Sequence, residues 1–129
     1  MKPAILLLVA FLCATALRAE DKIILVQSKD TTSKDIPLTF ELEKTEVDKV
    51  NDLQIWGTIR NESDVTFDLV KITFTTRDKQ KKFLGRDEWY CEPSTLRKGD
   101  AGYITAKFVA GDSKKAAILE YKITGSANQ

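Results

Sequence analysis

Leu53-Gln-Ile-Trp-Gly-Thr-Ile-Arg-Asn61 is the stretch that decides the fold. Leu53, Ile55 and Ile59 share one face with Gly57, so Trp56 points to the other. Alternation of period two marks a strand with one buried face. Asn61-Glu-Ser-Asp64 follows as a cluster of turn formers.

The same grammar extends in both directions. Downstream, Val70, Ile72, Phe74 and Thr76 form one face of a long β-branched run, with Val65 and Phe67 out of phase. A bulge or break near Asp68 reconciles the two phases. Arg77-Asp-Lys-Gln-Lys-Lys82 is a charged turn, and Phe83 to Tyr90 a strand weakened by Gly85. Glu92 to Asp100, with Pro93 and Gly99, is loop. Ile104, Ala106 and Phe108 alternate with Tyr103, Thr105 and Lys107. Gly111-Asp-Ser-Lys114 is a tight turn, and Ala117, Leu119, Tyr121 and Ile123 mark the last strand. Upstream, Leu38, Phe40 and Leu42 alternate with Thr39, Glu41 and Glu43, and Glu46 to Asp52 is a turn. Ile23–Val26 reads as a first strand and Gln27 to Asp35 as a polar linker. No segment carries helical spacing over three turns. Strands recurring about every ten residues with turn signals between them predict an all-β sandwich.

The N-terminus carries a different signal. Met1-Lys2-Pro3 precedes an apolar run from Ala4 to Leu17, followed by Ala19 and the charged Glu20-Asp21. That is the order of a secretory signal peptide, and the run is too short to span a bilayer. Cleavage is expected after Ala16 or Ala19. Leu12 stands before Cys13 where a lipid-attachment box has a small residue, which argues against a lipoprotein. The expected organisation is a signal peptide over 1–19, an N-terminal strand and linker over 20–36, and the sandwich domain over 37–129. The mature chain is then periplasmic or secreted and has no membrane span. It holds 18 basic against 19 acidic residues, so nothing drives it electrostatically toward nucleic acid. Cys91 is its only cysteine, either buried or free to pair between chains.

The residue inventory removes most chemistry. The chain has no histidine, which excludes histidine-based triads and metal sites. One cysteine cannot build a zinc or iron–sulfur centre, and neither a phosphate loop nor a calcium loop occurs. The expectation is a protein that is not an enzyme and holds no cofactor and no metal. The carboxylates open to acid–base work are Glu41, Glu43, Asp87, Glu88 and Glu92. The first two fall on the polar face of an alternating strand. Lys79, Lys81 and Lys82 read as a solvated turn able to touch an anionic envelope polymer.

Three motifs resemble the FxLYD-type domain, an immunoglobulin-like sandwich of bacterial extracytoplasmic proteins. They are the strand Leu53, Ile55, Gly57, Ile59 and Asn61; Phe74-Thr-Thr-Arg-Asp78; and the Leu96, Gly99, Asp100 turn leading to Ile104. The second departs from the pattern, with Thr76 for leucine and Arg77 for tyrosine, and the turn lacks the usual glycine after Asp78. The resemblance implies an immunoglobulin-like β-sandwich of about seven antiparallel strands and an envelope location. It implies no common activity.

Two aromatics are left over. With Leu53, Ile55 and Ile59 inward, Trp56 points outward; with Ile104, Ala106 and Phe108 inward, Tyr103 does too. Their strands are neighbours in an immunoglobulin-like sheet, so Trp56 and Tyr103 are the expected binding residues on its outer face. A cross-strand aromatic pair, or cover by Ile23–Val26, are the structural alternatives. Of Trp89-Tyr90, alternation allows one to face the core, and the tryptophan is expected there. The expected partner is an envelope or extracellular protein, with a glycan as the other ligand class.

Overall fold

The computed structural model describes residues 23–28, 36–109 and 115–128. The signal peptide over 1–19, most of the linker and the Gly111-Asp-Ser-Lys114 turn lie outside the described residues. Among the described residues there are seven strands: β1 (Ile24–Gln27), β2 (Leu38–Val47), β3 (Leu53–Asn61), β4 (Thr66–Arg77), β5 (Phe83–Tyr90), β6 (Ala101–Phe108) and β7 (Ile118–Asn128). They form a four-stranded sheet ordered β1-β7-β4-β5 and a three-stranded sheet ordered β2-β3-β6. This is the all-β sandwich that the alternation requires.

One detail is corrected. The strands are not all antiparallel, because β1 pairs parallel to β7, with Ile24 opposite Ile118 and Gln27 opposite Tyr121. Parallel neighbours need a long crossover connection. Here the rest of the sandwich lies between the two strands and supplies it.

The core follows the inward phase of each strand. Leu53, Ile55 and Ile59 from β3 meet Val70, Ile72 and Phe74 from β4, all buried. The Phe40 ring bridges the sheets, with its centroid 5.5 Å from Phe74 and 5.2 Å from Tyr121. Trp89 continues the aromatic row to Phe74 and Phe108, while Tyr90 is exposed. The phase conflict in β4 is settled by a bulge. The β4–β7 register shifts between Asp68 and Lys71, and Leu69 takes a φ of 53°. Phe67 and Val70 therefore both point inward although three residues apart.

Aspartates close the two tight hairpins. Asp48 Oδ1 accepts the backbone N–H groups of Val50 and Asp52, each at 3.0 Å. The Asp52 hydrogen bond is the main reason that the Asp48 carboxyl sits below its usual range. Asp78 Oδ1 accepts from Gln80 at 2.8 Å and Lys82 at 2.9 Å. An aspartate bonding its own downstream backbone is a turn-former's use of a short polar side chain. In the same turn Lys81 takes a φ of 69°.

Two motifs that are far apart in sequence meet at Asn61. Its side chain is fully buried, and Nδ2 donates to Val65 O at 2.7 Å and Leu96 O at 2.8 Å. Oδ1 accepts from the Ser63 backbone at 3.0 Å and the Ser63 hydroxyl at 2.7 Å. The Asn61 backbone donates to Asp100 O and accepts from Gly99 N, whose φ is 85°. One side chain thus ties the β3–β4 turn to the loop before β6.

Candidate functional site

The outer face of the β2-β3-β6 sheet carries the two sequence-predicted residues. β3 is central, so its outward side chains have neighbours on both sides. Register places Trp56 opposite Thr105 and Thr58 opposite Tyr103. Trp56 and Tyr103 are therefore diagonal neighbours on adjacent antiparallel strands. Such neighbours are about 7–8 Å apart, within reach of large side chains. Tyr103 is 61% exposed. Its backbone is held from both sides, opposite Thr58 on β3 and by two hydrogen bonds of 3.0 Å with Glu92. The ring is an exposed aromatic on a fixed backbone. β1 lies in the other sheet and does not cover it.

Trp56 is half-buried, for a definite reason. The β2 register shifts between Leu42 and Lys44, which puts Lys44 opposite Trp56. The Lys44 ammonium sits 4.6 Å from the ring centroid, a cation–π contact. Around the aromatics lie polar groups already engaged. Thr58 donates to Glu43 at 2.7 Å, Arg60 stands 3.9 Å from Glu41, and Lys107 stands 3.4 Å from Asp52. The face is an aromatic centre with a charged rim.

The carboxylates considered for acid–base work are spread over both sheets. Glu41 and Glu43 lie on β2 with the partners just named. Glu88 lies on β5 and accepts from Lys71 at 2.7 Å, which raises the Lys71 ammonium above its usual pKa. Among the described residues, no three of His, Cys, Asp and Glu gather as metal ligands. No helix there is long and apolar enough to cross a membrane.

Cys91 is fully buried, with Sγ 3.0 Å from Pro93 O. A Cβ on Gly102 would lie 2.6 Å from the sulfur, so the glycine makes the seat for it. Burial pushes the thiol up to about 11 from the ordinary 9.0. The unfolded thiol ionises first, so stability should fall as pH rises from 9.0 toward about 11 and level off above that. An aromatic disulfide reagent at pH 8 should leave Cys91 unlabelled in the native protein and label it only in denaturant. Rapid labelling of the native form would contradict the burial.

Sequence reasoning passed over the outer face of the other sheet. There β4 presents Lys71, Thr73, Thr75 and Arg77, the phase opposite to its core residues. Thr73 and Thr75 are short, and longer side chains of β5 and β7 flank them. The result is a cavity of about 560 Å³. The signal was present in the alternation of residues 71–77. A polar strand face reads by default as solvated surface, so it drew no attention.

Compared with protein-family models, curated proteins and solved structures, the chain matches none of them.

Proposed function

We propose that this protein is an exported, non-catalytic interaction module of the cell envelope that binds another protein through the outer face of β2-β3-β6. The observation that carries the reading is the exposed Tyr103 on a backbone pinned from both sides, diagonal to Trp56. Aromatic anchors with few rotatable bonds lose little entropy on binding, and interfaces are enriched in them. The charged rim around them fits the anatomy of a contact patch. The N-terminal apolar run and the FxLYD-like motifs support export and an envelope location.

A carbohydrate ligand is the second reading, and the Lys44 contact weighs against it. A sugar stacking on Trp56 would have to displace the ammonium that sits over the ring. A protein partner can use the Tyr103 ring and the rim without disturbing that contact.

Measurements of export, binding and stability test the reading. Intact mass of the exported chain should show a mature N-terminus at Leu17 or Glu20. A photo-crosslinking amino acid at position 103 should give one discrete protein adduct in cells that express the full precursor. Tyr103→Ser should weaken retention of that partner about 10-fold or more, as expected of an interface anchor. It should leave folding stability within about 0.5 kcal/mol, because the side chain is exposed. Equal retention by the variant and the parent protein would sink the proposal. A glycan that quenches Trp56 emission, with no protein adduct, would replace it with the second reading.

A further inference from the structure

The cavity on the β1-β7-β4-β5 sheet lies on the face opposite to the aromatic patch and has its own chemistry. Its floor is Thr73 and Thr75 on β4. Its walls are Arg86 and Glu88 on β5 and Glu120 and Lys122 on β7, with Arg77 also lining it. β5 and β7 each pair with β4, so the walls stand two strand spacings apart, about 10 Å. A volume of about 560 Å³ is in the range of small-molecule sites.

Two guanidinium groups are set up in this cavity without being used up. Arg86 donates through Nε to the hydroxyl of the buried Thr75 at 3.0 Å, and its guanidinium carbon lies 5.6 Å from the Phe83 ring centroid. It has no carboxylate partner among the described residues, and both of its terminal nitrogens remain without a protein acceptor there. Arg77 donates through Nε to Glu120 at 3.2 Å and through Nη1 to Lys81 O at 3.2 Å, which leaves Nη2. The Thr73 hydroxyl has no side-chain partner among the described residues. Guanidinium groups with fixed planes and spare donors match the oxygens of a carboxylate or phosphate.

The walls narrow the ligand further. Glu88 and Glu120 line the same cavity as the three cations. Two carboxylates there repel a polyanion, while they accept hydrogen bonds from hydroxyl groups. We propose that this cavity binds a small hydroxylated oxyanion, a sugar acid or sugar phosphate. Arg86 and Arg77 hold the oxyanion, and Thr73, Glu88 and Glu120 meet the hydroxyls. The site is independent of the Tyr103 face, since the two lie on opposite sheets.

The test is a titration of the exported chain, followed through backbone amide shifts, with D-glucuronate, glucose 6-phosphate and uncharged D-glucose. At least one anion should saturate in the millimolar range and shift Thr73, Thr75, Arg86 and Glu120, while glucose shifts none of them. Which anion binds tells carboxylate from phosphate. Arg86→Gln should weaken that anion about 10-fold. Arg86→Lys should recover only part of the loss, because an ammonium keeps the charge and lacks the fork. Tyr103→Ser should bind the anion as the parent protein does. The proposal is overturned if neither anion saturates, if the shifts fall on the Lys79–Lys82 turn instead, or if Arg86→Gln binds unchanged.

Discussion

Asn61→Asp should cost about 4 kcal/mol of stability at neutral pH, close to the whole margin of a small domain. The amide nitrogen of Asn61 now donates to two carbonyl oxygens, Val65 O at 2.7 Å and Leu96 O at 2.8 Å. A carboxylate in the same place has no proton to give and turns its charge on both carbonyls in a fully buried site. The introduced carboxyl would therefore be raised in the folded state. Its neutral form can restore one of the two hydrogen bonds. The sign follows from that: the variant keeps most of its stability below about pH 4, the unfolded carboxyl value, and loses it as pH rises. Asn61→Ala also loses about 3 kcal/mol, because Val65 O and Leu96 O each lose a donor and the Ser63 N–H loses its acceptor, but without pH dependence. Urea unfolding of both variants at pH 4 and pH 7 separates them. Equal pH response in the two variants would mean that the Asn61 amide is not what holds the two loops.

Gly57→Ala is the second large effect, with an expected loss of about 3 kcal/mol. A Cβ there would overlap the Phe40 ring and lie 2.8 Å from Glu41 O. Phe40 cannot step aside cheaply, because Phe74 and Tyr121 flank its ring. The glycine is therefore half of a pair, and the pair predicts non-additivity. Phe40→Leu alone should destabilise through lost ring contacts. In the double variant the smaller side chain makes room for the new methyl group. The combined loss should then fall short of the sum by about 1 kcal/mol or more, measured in a double-mutant cycle. Strict additivity would place the strain elsewhere than at Phe40.

These two positions also show what a reader of the sequence can see. Asn61 was legible as a turn former because asparagine bonds its own downstream backbone, and Ser63 confirms that use. Its reach to Leu96 was not legible, since nothing local says which distant loop will lie against the turn. A glycine inside a strand, as at Gly57, marks a close approach, yet the identity of the intruding ring depends on β2–β3 register. The same division holds for the candidate site. Alternation alone put Trp56 and Tyr103 on outward faces. Their diagonal offset and the lysine over the tryptophan came from register and from the irregularity after Leu42. The cavity over Thr73 and Thr75 was hidden for another reason. It arises from a difference in side-chain length across three strands, and a pattern of polar and apolar letters does not record length.

The parallel pairing of β1 with β7 has a mechanical meaning. Tension that enters the chain ahead of Ile24 and leaves it after Asn128 pulls these two neighbours in opposite directions along their common axis. The bonds joining them, among them Ile24 N–H to Ala117 O at 2.9 Å and Ser28 N–H to Tyr121 O at 2.8 Å, are then loaded side by side. Under that load they share the force and yield as a set. An antiparallel pair pulled apart from its open end would unzip one bond at a time. A strand of four residues, the shortest among the described residues, thus acts as a latch against stretching.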